Sequence, residues 1–208
     1  MTSRQRIAAL VAVGCVFAFW ICTLVAGALV EGYSIRADYI SSLAGRGSSV
    51  AVIGIVALTL LGSAHPAAAL AVRGIVAVPL MLAGLAGLTV AGFRTNCPAG
   101  AAGCGSAGND PPADLAQLTH GNAVVTYEIA IVVAMLIVAG GLFARHRPAL
   151  AALTVAIAAL SVLLALQIGG SDTGWWQRGW LLVNTGWLVA LVLTTTRLSR
   201  STPPVPPG

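Results

Sequence analysis

The sequence contains no lysine and very few charged residues of any kind. Only 8% of its 208 residues are charged, whereas 58% are hydrophobic, and the mean hydropathy is +0.92. So few charges cannot cover the surface of a soluble domain, so the composition excludes that class and requires lipid as the solvent. The missing lysine, together with the Ala, Gly and Arg bias, points to a bacterial genome of high GC content.

Polar stretches are also scarce, because apolar runs fill most of the chain. A helix needs about 20 apolar residues to cross the hydrocarbon core of a membrane. Runs of about that length predict an all-α fold, an integral membrane bundle of six transmembrane helices in one domain, residues 1–200. The predicted helices are 7–30, 49–64, 74–93, 122–144, 149–168 and 176–196. The proline-rich end, 201–208, is predicted to be disordered.

Acidic residues are absent from one side of the predicted bundle. That side carries seven arginines: Arg4, Arg6, Arg73, Arg145, Arg147, Arg197 and Arg200. The other side carries four arginines with all six acids: Arg36, Arg46, Arg94, Arg178, Glu31, Asp38, Asp110, Asp114, Glu128 and Asp172. Arginine favours the cytoplasmic side, which predicts cytoplasmic termini (N-in, C-in) in a bacterial plasma membrane and outward loops at 31–48, 94–119 and 169–175.

The same distribution limits the partners of the protein. The arginines lie at helix ends and do not form one soluble basic face, so we expect membrane lipid as a partner and no nucleic acid. A homo-oligomer or a protein partner stays open. The first helix also resembles a signal peptide, because Ala26-Gly27-Ala28 follows a basic start and an apolar run. Cleavage there would leave five helices.

The one long polar stretch, 94–121, contains Cys97 and Cys104 in a predicted outward loop. Disulfides form and persist outside the cytoplasm, and the intervening Gly, Ala and Pro residues can bend enough to join the sulfurs. We therefore expect a Cys97–Cys104 disulfide. A zinc site would need further ligands, and only His120 lies on this side, because His65 and His146 are predicted on the cytoplasmic side. We expect no metal and no other cofactor.

Ionisable groups inside a membrane helix are costly and are functional hypotheses by default. Glu128 lies about 12 Å deeper than His120 along the fourth predicted helix, with Asn122 and Tyr127 between them. Gln167 ends the fifth helix, and Arg178 begins the sixth. A Glu128–Arg178 pair would neutralise both charges. The tryptophans at 175, 176 and 180 are placed where an outer aromatic belt belongs.

The segment GYSIRADYISSLAG (32–45) is expected to fold back over the outer helix ends. Serines at its end would then cap the second helix, which follows Ser48 and Ser49. Asp38, Ser42 and His120 include the residue types of a Ser–His–Asp triad, but no G-x-S-x-G elbow accompanies them. The chain also lacks three histidines on one side, which argues against metal hydrolases of the ceramidase and progestin-receptor type.

Three short motifs resemble a bacterial and archaeal family of six-helix membrane proteins, domain-of-unknown-function family 998. They are D-Y-I-S-S-L (38–43), the polar loop 94–119 ending in His120, and W-Q-R-G-W (176–180). The resemblance spans about residues 7–196. It implies the six-helix membrane fold and leaves the biochemical role open.

These observations lead to one leading hypothesis and two alternatives. The protein is expected to be non-catalytic, binding a lipid head group or small polar ligand in an outward polar cluster, or supporting an envelope complex. The cluster includes Asp38 and Ser42, with ligand contacts from Arg94, His120, Glu128, Gln167 and Arg178. The first alternative is a membrane hydrolase or transferase that uses His120 as general base with Asp38 or Glu128. The second is a proton-coupled carrier using Glu128, although no internal repeat is visible.

Overall fold

The computed structural model describes residues 2–99 and 114–198. The apolar stretches within these ranges are helical. These described ranges contain six α-helices, one short 3-10 helix at Ser41–Ala44, and no strand. The helices are α1 (Ser3–Leu29), α2 (Ala51–Val72), α3 (Ala77–Gly92), α4 (Leu115–Ala144), α5 (Pro148–Ala165) and α6 (Thr173–Leu198).

Four of these helices, α1, α2, α4 and α5, are long and apolar enough to cross a membrane. Helix α3 is also apolar but has only 16 residues. Large apolar side chains such as Leu10, Leu85 and Leu163 are exposed on the bundle surface, where a soluble protein would place polar groups. The prediction of an all-helical, membrane-embedded protein is therefore confirmed at this level.

Helix α2 continues eight residues beyond its predicted end at 64. The alanine-rich segment after Pro66 favours helix, and the proline is accommodated inside it. A proline in a helix removes one backbone donor, and its ring crowds the carbonyl group four residues earlier. Here the ring lies against Gly84 of α3, where any side chain would overlap it. His65, which the sequence placed just after the helix end, therefore lies inside α2 and is completely buried in the bundle.

Helix α4 begins at Leu115, seven residues before its predicted start. Asp114 occupies the N-cap, and its carboxylate accepts a hydrogen bond from the Gln117 backbone N–H at 2.8 Å. An N-cap carboxylate satisfies a backbone donor that the first helical turn leaves without a partner. This early start brings His120 into the helix and makes it a buried residue.

Helices that are consecutive in the chain pack against each other, and α6 returns to contact α1 and α2. Trp20 of α1 donates to the Thr185 hydroxyl of α6 at 3.2 Å. Helices α2 and α3 approach so closely that a side chain on Gly87 would lie 2.9 Å from the Gly62 Cα. Small residues allow such contacts, which is how helices associate in lipid, where no hydrophobic force drives them together.

Candidate functional site

Residues 31–50, which we call the cap segment, fold back over one end of the bundle as predicted. Ser42, Leu43 and Ala44 are buried there. The backbone of the segment touches α2 at Gly54 and α6 at Gly174, where added side chains would lie 2.7 Å from the Leu43 carbonyl oxygen and 2.6 Å from that of Asp38. The predicted serine cap of α2 is wrong, since the N-cap is Val50 and has no side-chain hydrogen bond.

Arg178 attaches the cap segment to α6. The two N–H groups of one guanidinium nitrogen are shared among the carbonyl oxygens of Ile35 at 2.8 Å, Asp38 at 2.9 Å and Gly174 at 2.9 Å, and the other terminal nitrogen donates to the Tyr33 hydroxyl. The guanidinium also lies over the Tyr33 ring. Burial raises the pKa of the Tyr33 hydroxyl, and the charge of Arg178 opposes that rise. The predicted pairing of Arg178 with Glu128 is therefore wrong.

Arg94, which follows α3, has a similar role at the other end of the cap segment. Its side chain donates to the carbonyl oxygens of Ala44 and Gly45, each at 2.7 Å. His120 lies near this junction, and its Nδ1 is 2.8 Å from the carbonyl oxygen of Phe93. Both side chains thus contact backbone carbonyl groups of neighbouring segments.

Gln177 is an inward-facing residue that the sequence analysis missed. Its side-chain oxygen accepts a hydrogen bond from the Ile40 backbone N–H at 2.6 Å, and the residue is buried. The expected site residue Gln167 is exposed in the turn after α5 instead. A sequence signal could have favoured Gln177 over Gln167. Gln177 directly precedes Arg178, in the turn of α6 that contacts the cap segment.

A cavity of about 40 Å³ lies directly beneath the cap segment. The cap segment supplies Ile40 and Ser41, and side chains of α2, α3, α4 and α6 supply the rest of the lining. Its lining polar groups come from Ser41, Gln177, Tyr127 and Trp180, among mostly apolar neighbours. By this measure one water needs 10–15 Å³, so the space holds about three groups of water size.

Below the cavity lies a set of polar side chains that we call the polar core: Glu128, Ser161, Trp180 and Asn184. They come from α4, α5 and α6, and all except Glu128 are buried. The Trp180 indole N–H donates to Glu128 Oε2 at 2.8 Å, and the Asn184 amide donates to the same oxygen at 3.3 Å. Trp180 therefore does not belong to an aromatic belt, because it is buried beside an acid.

Tyr127 connects this region to α2. Its hydroxyl lies 3.2 Å from Nε2 of His65, and its ring packs edge-on against both His65 and Trp180. His65 Nδ1 is in turn 2.9 Å from the Leu61 carbonyl oxygen. The polar residues that the sequence places between His120 and Glu128 thus do not share one face of α4, since Tyr127 is buried in the bundle whereas Asn122 is exposed.

Two ion pairs join loops at the capped end of the bundle. Arg36 of the cap segment pairs with Asp172, and Arg46 donates to Asp114 at 2.6 Å. Arg36 lowers the pKa of Asp172, and the Gln117 backbone N–H followed by Arg46 lowers the pKa of Asp114. Exposed pairs of this kind contribute little stability but orient the segments that carry them.

The predicted outward cluster is therefore not one site. Asp38 accepts a hydrogen bond from the Ser34 backbone N–H, and the Ser42 hydroxyl donates to the Tyr39 carbonyl oxygen. No hydrogen bond joins His120 to Asp38, Ser42 or Glu128 within the described residues, so the catalytic arrangements are not assembled there. Among these residues, no group of three or more His, Cys, Asp or Glu side chains could hold a metal ion.

The expected disulfide involves Cys104, which lies outside the described residues, and it stays a prediction. Cys97 itself is buried in a segment tied to the cap segment, where the Ala99 backbone N–H donates to the Ser42 carbonyl oxygen at 3.0 Å. The tail at 201–208 also lies outside the described residues.

A protein family described as "Protein of unknown function (DUF998)" matches residues 13–194 of this chain, which is most of its length. No curated protein and no solved structure matches the chain.

Proposed function

The chain belongs to the DUF998 family of proteins of unknown function, and we propose that it is a non-catalytic membrane protein that binds a small amphipathic ligand beneath the cap segment. The single observation that carries this proposal is the position of the cavity. It lies between a folded-back segment held by side-chain hydrogen bonds and a buried set of polar groups.

The chemistry of the lining defines the ligand class. Leu58, Leu61 and Leu181 provide apolar contact. The Gln177 amide nitrogen and the Ser41 hydroxyl have no hydrogen-bond partner within the described residues, so both are left for a ligand or water. Because the arginines bind the cap segment, an anionic head group is not the recognised part. The small volume accepts the end of a chain or ring that carries one hydrogen-bonding group.

Val124→Phe tests this proposal, because Val124 lines the cavity and a larger side chain there would fill it. Val125→Phe is the matched control, since Val125 is the next residue and is exposed on the bundle surface. Native mass spectrometry of non-reduced, detergent-extracted protein should show a retained small molecule in the wild type and in Val125→Phe. We expect at least a tenfold loss in Val124→Phe. Equal retention by both variants would contradict the proposal.

The placement of the protein forms part of the same proposal. Six helices would span the plasma membrane of a bacterium, with both termini cytoplasmic and the cap segment outside. This is supported by the charge distribution and by the exposed apolar side chains of the bundle surface. A Cys97–Cys104 disulfide would form on the same outer side, and the native mass spectrum reports it as a deficit of two hydrogens.

A proton-coupled carrier is the second candidate, and one observation favours it. Trp180 lines the cavity and also donates to Glu128, so the cavity and the buried acid share a side chain. Uptake of a retained ligand into liposomes under a pH gradient, compared between wild type and Glu128→Gln, distinguishes a carrier from a binding protein. The enzyme hypothesis lacks such support, because His120 contacts neither acid proposed as its partner.

A further inference from the structure

The cavity beneath the cap segment has four polar side chains in its lining and, among the described residues, no charged one. The four are Ser41, Tyr127, Gln177 and Trp180. A ligand can use only those hydrogens and lone pairs that the protein itself has not already used. The hydrogen bonds that these side chains make within the protein therefore define which ligand atom the cavity accepts.

Two of the four side chains have already given their hydrogen to a neighbour. The single indole N–H of Trp180 donates to Glu128 at 2.8 Å. The Tyr127 hydroxyl lies 3.2 Å from His65 Nε2, and His65 Nδ1 carries a hydrogen because the Leu61 carbonyl oxygen beside it can only accept. His65 is completely buried and makes no ion pair within the described residues, so its ring is neutral and Nε2 accepts the Tyr127 hydrogen.

Gln177 differs from these two because its donor is still available. The Ile40 backbone N–H can only donate, so the Gln177 atom 2.6 Å from it is the amide oxygen. The amide nitrogen has no hydrogen-bond partner within the described residues. In that part of the chain no fully buried side-chain nitrogen or oxygen lacks a partner. The Gln177 nitrogen therefore borders open space, and the cavity is the space that Gln177 lines.

The remaining groups exclude charged ligand atoms. The Ser41 hydroxyl can either donate or accept, so it adapts to the group that Gln177 selects. A carboxylate or phosphate would meet no basic side chain, since Arg178 is engaged with the cap segment. An ammonium group would meet no acid in the lining and would face the hydrogens of the Gln177 amide. Placing either charge in a mostly apolar cavity without a partner is energetically costly.

We propose that the ligand inserts an uncharged oxygen atom, at the end of an apolar chain or ring, and that Gln177 selects it by donating a hydrogen bond. This inference rests on the proposed function and names its ligand class: neutral lipids that end in a hydroxyl or carbonyl group. Hydrocarbons, amines and acids of the same length are discriminated against. Ile40 positions the amide, so the cap segment takes part in the selection.

The small number of side-chain amides and indoles makes a direct measurement feasible. The chain has four glutamines and five tryptophans, so protein labelled with ¹⁵N in both residue types gives few side-chain signals in detergent micelles. The Trp180 indole reports occupation of the cavity, and the Gln177 amide reports the hydrogen bond. Replacing the other three glutamines by Asn, one at a time, assigns Gln177 by exclusion, and Trp180→Phe assigns the indole. Exposed Gln167 reports any effect of a probe on the micelle.

Four probes of equal chain length are compared: decanol, a decanone, decane and decylamine. With decanol and the decanone, the Trp180 signal should move and one Gln177 N–H should shift downfield as it gains an acceptor. Decane and decylamine should leave the Gln177 amide unshifted. Val124→Phe, whose larger side chain fills the cavity, should abolish both responses.

Two other outcomes would overturn the proposal, and they differ in what else they contradict. If decanol and decane move Trp180 equally and the Gln177 amide does not shift, the cavity binds a ligand but does not select oxygen. If no probe moves Trp180 in the wild type, the cavity is not a binding site, and the proposed function fails together with this inference.

Discussion

The guanidinium group of Arg178 donates to three backbone carbonyl groups and to one phenol, all within the protein. Arginine is suited to this role because its planar group presents five donors in fixed directions and stays charged. Both terminal nitrogens, which a ligand phosphate would contact, are already engaged within the protein. At the scale of single residues, the arginines near the cavity therefore organise the cap segment.

Replacing Arg178 with Ala should destabilise the protein, because three carbonyl groups lose a charged donor at once. We expect a loss of about 2–4 kcal/mol in the free energy of unfolding. Arg145→Ala is the control, since Arg145 is exposed and its side chain makes no hydrogen bond to the described residues. Unfolding in a detergent series measures the loss, and trypsin cleavage after Arg46 should accelerate only in Arg178→Ala. Equal stability of the two variants would contradict this role.

Sequence patterns identify polar residues in apolar surroundings but do not identify their partners. Glu128 and Arg178 stand out for that reason, and pairing opposite charges is the simplest guess. The structure assigns each to neutral groups instead, because Asn184 lies six residues, or about 9 Å, further along α6 and reaches Glu128. The carbonyl groups that bind Arg178 have no sequence signal, since every residue carries one. Gln177 was missed for a related reason, as its partner is a backbone N–H.

At the scale of helices, α2 and α3 approach each other closely through glycine and proline. Gly62 faces Gly87, and Gly84 faces the Pro66 ring. The sequence predicts helices here but places the end of α2 too early, because proline commonly marks a helix end. The sequence of α2 alone does not show that α3 packs beside it and that Gly84 of α3 leaves space for the Pro66 ring. His65 is buried as a direct consequence.

Gly84→Ala should therefore be harmful although alanine is the better helix former. Its methyl group would overlap the rigid Pro66 ring, and such overpacking costs about 1–3 kcal/mol. Gly14→Ala is the matched change, because Gly14 is also inside a helix but has nothing within 4 Å of an added Cβ. Thermal unfolding should show a lower Tm for Gly84→Ala and an equal or higher Tm for Gly14→Ala. The reverse order would exclude the close contact.

At the scale of the whole molecule, the charge distribution predicts the orientation in the membrane. Glu31→Cys and Arg145→Cys test it in a background whose four native cysteines are replaced by serine. A membrane-impermeant maleimide added to intact expressing cells should label Glu31→Cys, in the proposed outer loop. Arg145→Cys should be labelled only after the membrane is permeabilised. Labelling of Arg145→Cys in intact cells would reverse the proposed topology.

The contact between Arg178 and the cap segment also affects the order of events during biosynthesis. Ile35 and Arg178 are separated by 143 residues in the chain. At a synthesis rate of about 5–20 residues per second, the ribosome makes Arg178 on the order of ten seconds after Ile35. During that interval the cap segment lacks the hydrogen bonds that Arg178 donates to it. A nascent chain that stops before α6 would leave this segment open to proteases, so its closure reports that α6 has packed against the bundle.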